Sequence, residues 1–118
     1  MLNHNTFRIV FFVAISIASF LFLKQGFQSG IRFEHFDKVA HFIVFAGLAF
    51  LYHQSFQQPI RGKIAVLSIY GFVIELIQAF LPYRTASYAD WIADIAGVLC
   101  FFAINEFLIK RYLQSSTN

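Results

Sequence analysis

Three groups of polar residues stand at spacings that could do chemistry. Glu75 and Gln78 are three apart, Asp90 and Asp94 are four apart, and His41 follows Asp37 by four and Lys38 by three. Residues three or four apart share one face of a helix, so each group would form a polar stripe. Carboxyls and an imidazole brought together can move protons. Glu75, Asp94 and Asp90 would serve as general acids or bases, with His41 as relay. Arg84 offers a planar fork for a phosphate or carboxylate, and Lys38 offers a point charge for the same group. Gln78, Asp37 and Ser87 would add polar contacts to a ligand. These side chains also include imidazole and oxygen donors that suit a metal. The chain has neither a His-Glu-x-x-His run nor paired cysteines, so no metal and no cofactor is expected.

The elements that must carry these residues are apolar. The 118 residues are 58% hydrophobic and 13% charged, about half the charge of a typical soluble domain. A span needs roughly 20 apolar residues. Four stretches approach that length, at about 7–23, 39–56, 64–81 and 88–109. Their continuous apolar character excludes the alternation of barrel strands. The expected fold is all-α: a polytopic membrane protein with a bundle of four transmembrane helices, in a single domain covering 1–118. The first stretch has the basic start of a signal peptide, but no small-x-small site precedes Lys24, so an uncleaved helix is expected. The lone Cys100 permits no internal disulfide and reads as a small buried hydrophobe.

With four helices, Arg8, Arg61, Lys63, Lys110 and Arg111 fall on one side of the membrane. Lys24, Arg32, Lys38 and Arg84 fall on the other. The first set, joined by the amino terminus, places both termini in the cytoplasm of a bacterium and the protein in its inner membrane. Trp91, Tyr83 and Tyr88 then sit at the outer interface. Glu75 lies about 9 Å inside the third helix, given the rise per residue. Asp90, Asp94 and His41 open the fourth and second helices at the same end. Ionisable residues inside a membrane usually face a bundle interior and mark a site. A shared polar cavity near the outer face is expected, with few comparable residues in the inner half. His53 and Glu106 read there as interface residues.

Plainer structural roles compete for the same residues. Ser87 and Asp90 have the form of a capping box at the start of the fourth helix. Pro82 would stop the third helix. Lys38 could snorkel to the interface. Glu75 and Gln78 could join helices, and Asp94 could pair with Arg84. Gly47, Gly71 and Gly97 would permit close helix packing.

The segments DKVAHFIVFAGLAFL (37–51) and YGFVIELIQAFLPYRTASYADWIADIAGV (70–98) together resemble the VanZ-like family of small bacterial membrane proteins. The family pattern is Asp-Lys-x-x-His-Phe, then Glu-x-x-Gln before Pro-x-Arg, then Ser-x-x-Asp, an Asp or Asn one turn on, and Gly. Here it is supplied by Asp37, Lys38, His41, Phe42, Glu75, Gln78, Pro82, Arg84, Ser87, Asp90, Asp94 and Gly97. Asp94 stands where many members are expected to carry Asn. The resemblance implies a membrane location, a polar cluster with a function, and an envelope process. The family is named for a protein associated with resistance to teicoplanin.

The function expected is binding of, or action on, a lipid-linked or cell-envelope molecule. The partners expected are membrane lipids and a lipid-linked envelope precursor, with the 17 phenylalanines available to a homo-oligomer or membrane partner. Nothing in the sequence points to nucleic acid. The competing expectation is a non-enzymatic scaffold or accessory subunit whose polar cluster is architectural. A transporter or proton channel would need a polar path through both halves of the membrane.

Overall fold

In a computed structural model, residues 3–24, 36–82 and 87–116 are described, with the side chains of residues 36 and 37 outside that description. Tyr83 and Arg84 therefore lie outside the described residues, as does the Asp37 side chain. The described chain is entirely helical: α1 (His4–Leu23), α2 (Phe36–Ser55), α3 (Ile60–Phe80) and α4 (Tyr88–Ser116).

Helix ends run past the apolar stretches in all four cases, and α1 begins at His4 rather than about 7. α2 begins at Phe36 rather than about 39, α3 at Ile60 rather than about 64, and α4 continues to Ser116 rather than about 109. The apolar run reports the membrane window, whereas a helix ends where its backbone loses partners. Pro59 sets the α3 start, since its carbonyl accepts from the Lys63 N–H at 3.1 Å and polar residues then fill the first turn. Asn3 caps α1 by accepting from the Thr6 N–H at 2.9 Å.

α2 is the hub. It packs most extensively on α4 and α1 and also touches α3, which bridges α1 and α4; among the described residues α1 and α4 do not meet. Successive helices run in opposite directions. His4 and Arg8, at the start of α1, donate to the carbonyls of Gln54 and Ser55 at the end of α2, at 2.8 and 2.9 Å. These bonds also satisfy α2 carbonyls that have no partner within the helix. Phe45, Leu48, Leu67 and Val98 fill the centre, and Phe11 and Phe102 close it toward one end.

Large apolar side chains cover the outside, among them Ile9, Phe12, Phe20, Ile69, Phe80 and Phe107. Water would penalise that surface, whereas acyl chains would not. α1, α3 and α4 are each long and apolar enough to cross a membrane, so the chain is a multi-pass membrane protein. α2 is not among these three. It carries Lys38, His41, His53 and Gln54, which lower its hydropathy, and of these His41 is buried.

Two of the three glycines expected at helix contacts are there. A Cβ at Gly97 would collide with the Phe42 carbonyl of α2, so α4 depends on glycine for its approach. A Cβ at Gly71 would stand 2.8 Å from Asp94 Oδ2 and 3.3 Å from the Phe45 ring. Gly47 departs from the expectation: it is exposed and a Cβ there would meet nothing within 4 Å. Its place in the apolar run did not reveal which way it faced.

Candidate functional site

The ends of α1 and α3 and the starts of α2 and α4 meet around a buried polar cluster. Asp94, one and a half turns into α4, is fully buried. Its Oδ1 lies 2.6 Å from His41 Nδ1 of α2. A carboxylate only accepts, so the Nδ1–H donates and the Nε2 lone pair is left facing away. The imidazole lies flat on Phe22 of α1, with ring centroids 4.3 Å apart and planes 12° from parallel. Phe22 and Asp94 together set the ring's plane and its tautomer.

Asp90 sits one turn before Asp94 and uses its two oxygens in different directions. Oδ2 lies 3.9 Å from His41 Nε2, and Oδ1 lies 3.9 Å from Lys38 Nζ. The capping box expected at this helix start is only half made. Ser87 Oγ does accept from the Ala89 N–H at 3.1 Å. The Ser87 N–H, which Asp90 would take in the full box, instead donates to Glu75 Oε2 of α3 at 2.9 Å. Glu75 thus holds the start of α4 from a neighbouring helix. Asp90 remains directed at His41 and Lys38.

Gln78, one turn beyond Glu75, donates from Nε2 to the Phe22 carbonyl at 2.7 Å. That carbonyl is among the last in α1, where helical partners run out. Gln78 therefore joins α3 to α1, as well as lining the cluster. Three buried oxygens here have no hydrogen-bond partner among the described residues: Glu75 Oε1, Gln78 Oε1 and Asp94 Oδ2. Burying such a group without a partner costs about 1–3 kcal/mol. Gly71 makes room for Asp94 Oδ2, which a Cβ would crowd.

His41, Glu75, Asp90 and Asp94 are thus brought together, with Lys38, Gln78 and Ser87 around them. Arg84 and the Asp37 side chain fall outside the described residues. Sequence spacing did not indicate Phe22 beneath the imidazole or Gly71 beside Asp94. Both are apolar residues in apolar runs, and only the packing of helices assigns them to the site.

A cleft of about 250 Å³ between α3 and α4 reaches this cluster. Phe72, Leu76, Ala79 and Tyr88, all exposed, form its mouth. Glu75 and Ser87 are the polar residues in its lining. Trp91 forms part of the wall and donates from its indole N–H to the Ser68 carbonyl at 3.0 Å. It is therefore tied to α3, in addition to any interfacial role expected of it.

The opposite end of the bundle is more polar than the sequence suggested. Lys63 is only 3% exposed, and its Nζ lies 2.9 Å from His53 Nδ1. The other ring nitrogen of His53 is 3.4 Å from the Asn105 amide. Tyr52 donates to Gln58 at 2.6 Å nearby. Lys63 and His53 lie near helix ends and Asn105 lies well inside α4, so spacing along a single helix gives no stripe. Their convergence depends on three helices meeting.

No solved structure matches the chain. An uncharacterized protein of Schizosaccharomyces pombe is 30% identical over 110 residues, an alignment covering 89% of this chain and 65% of that protein. The chain thus spans somewhat less than two thirds of that relative's length. The family model for VanZ/LLP1 matches residues 2–109, which include α1, α2, α3, most of α4 and every member of the buried cluster. The chain belongs to the VanZ/LLP1 family.

Proposed function

We propose that the chain binds a lipid-linked molecule from within the membrane, holding its phosphate-bearing head at the cluster of His41, Glu75, Asp90 and Asp94. The observation that carries this reading is the cleft between α3 and α4. It has apolar walls open to the lipid side and ends on a buried carboxylate. An apolar tail would lie along Phe72, Leu76 and Ala79 while the head reached Glu75. Lys38 and Arg84 would supply positive charge to the head group. His41, oriented by Asp94, would hold or move a proton at the head.

In this reading α2 is a fourth span. Its 20 residues make a helix of about 30 Å, the thickness of the hydrocarbon core. Its polar residues are tolerable there because one face of α2 packs against α1, α3 and α4. The distribution of Lys and Arg favours both termini in the cytoplasm and the cluster near the outer face of a bacterial inner membrane. An envelope precursor carried on a lipid would be available at that face. A role in glycopeptide resistance would follow if the bound molecule were a cell-wall precursor.

The test compares a long-chain polyprenyl phosphate with the corresponding alcohol as stabilisers of the purified protein in mild detergent. The phosphate is expected to raise the melting midpoint by several degrees and the alcohol to leave it unchanged. Leu76→Trp, which fills the cleft, should remove the effect. Protection by neither lipid would overturn the proposal.

A second reading is favoured by the bonds that cross between helices, His41 to Asp94 and Gln78 to Phe22. Here the cluster is architectural and the protein is a scaffold or accessory subunit, or assembles with copies of itself. It predicts that neutralising Glu75 or Arg84 lowers the melting midpoint sharply with no lipid effect to lose.

A further inference from the structure

We propose that His41, Glu75 and Asp90 form a site for one divalent transition-metal ion of the Zn²⁺ or Mn²⁺ type, with Asp94 as a positioning residue behind His41. The inference rests on the reading of the cluster as a ligand site and names what neutralises it.

One potential ligand atom from each of the three residues lies within 4.8 Å of the other two. Each comes from a different helix: α2, α3 and α4. The 3.9 Å between His41 Nε2 and Asp90 Oδ2 is too long for a hydrogen bond. It is shorter than two metal–ligand bonds of about 2.0–2.2 Å laid end to end, so one ion can touch both atoms. Asp94 takes the Nδ1–H, which turns the Nε2 lone pair toward Asp90. A carboxylate that fixes a histidine from behind in this way is the usual support of a metal-bound imidazole.

An independent sign is Glu75. It is only 7% exposed, and its Oε1 has no hydrogen-bond partner among the described residues. Oε2 is committed to the Ser87 N–H, so Oε1 is the atom left for a cation. The charge of the site argues in the same direction. Three carboxyls converge where a phosphate head would sit. Lys38, the lysine beside them, has a side chain 39% exposed and approaches Asp90 only to 3.9 Å. A divalent cation held by Glu75 and Asp90 would add to the positive charge that Lys38 brings to the head group. One imidazole with two carboxylates suits borderline divalent ions and leaves coordination positions open for a ligand oxygen.

The experiment uses the full chain in mild detergent, stripped with a chelator and free of added lipid. Zn²⁺ and Mn²⁺ are titrated separately, reading bound metal after desalting and the melting midpoint. The expected result is one equivalent per chain of at least one ion, with a midpoint rise of several degrees. Glu75→Gln and Asp90→Asn should lose stoichiometric binding. Asp94→Asn should bind about 10–100-fold more weakly, as loss of an outer support does. Less than a tenth of an equivalent of either ion on the wild type, with no midpoint change, would overturn the proposal. So would binding unchanged in Glu75→Gln and Asp90→Asn, because the ion would then lie elsewhere. If lipid phosphate protects the stripped protein and no ion binds, the ligand site stands without its metal. If the ion binds and lipid phosphate never protects, the metal stands and the lipid reading falls.

Discussion

His41 of α2 and Asp94 of α4 are joined by a 2.6 Å hydrogen bond in a part of the bundle where Asp94 has no exposed surface. The bond crosses the most extensive helix contact in the molecule. It fixes the imidazole against Phe22 and determines which nitrogen faces Asp90.

Replacing Asp94 should separate charge from hydrogen bonding. Asp94→Asn keeps an acceptor for the His41 N–H and should cost less than about 1 kcal/mol. Asp94→Leu strands that donor in a buried site and should cost about 1–3 kcal/mol. Thermal melting of the two variants in the same detergent checks the order. Equal losses would show that the bond itself contributes little.

The three glycines should rank by what their missing Cβ would meet. Gly97→Ala faces the backbone carbonyl of Phe42, which cannot rotate away, and should be the most damaging, at about 3 kcal/mol or more. Gly71→Ala crowds a side-chain oxygen and a ring and should cost about 1–3 kcal/mol. Gly47→Ala should stay within about 0.5 kcal/mol, as open surface positions do. Because Gly71 and Asp94 are neighbours, the Gly71→Ala loss should shrink in an Asp94→Ala background, which a double-mutant cycle measures.

Gln78→Leu removes the donor that serves the Phe22 carbonyl. Interhelical bonds of this kind average about 0.6 kcal/mol in membrane proteins, so a modest loss near that size is expected. Amide exchange at the end of α1 should accelerate, while exchange in α4 should not. Uniform acceleration in both helices would show that Gln78 supports the whole bundle.

Glu75→Gln tests whether the cluster costs stability. The amide oxygen can still accept from the Ser87 N–H, while the buried charge is gone. In chelator and without lipid, the variant should melt at or above wild type, as neutralised functional sites often do. A midpoint well below wild type would favour the architectural reading.

Lys63→Met makes the corresponding test at the other end. A buried ammonium beside His53 is replaced by an apolar side chain of similar length. Such replacements are often neutral or stabilising, so the variant is expected to melt within about 0.5 kcal/mol of wild type or above it. A large loss would mean that the Lys63, His53 and Asn105 cluster holds α2, α3 and α4 together.

Much of this protein was legible along the chain, for a reason that differs between fold and site. Membrane class and the number of helices follow from apolar runs, because lipid tolerates no unpaired backbone and so forces continuous helix. The polar stripes Glu75–Gln78 and Asp90–Asp94 were legible because helical periodicity alone aligns residues three and four apart. Their partners were not. Ser87 and Asp90 read locally as a capping box, yet the Ser87 N–H goes to Glu75, twelve positions earlier on another helix. Lys63 read as an ordinary flanking cation and is buried beside His53.

An all-helical membrane protein with carboxyls and an imidazole at one end of its helices can be read directly from the order of its residues. Periodicity and hydropathy are properties of each segment alone, so no neighbour was needed to read them. That Asp94 grips His41, that Phe22 lies beneath the ring, that Gly71 makes room for a carboxylate and that a cleft leads to Glu75 all come from the packed bundle. Each depends on the rotation and approach of one helix against another. Those are set by side-chain packing over the whole bundle, which no single stretch of sequence encodes.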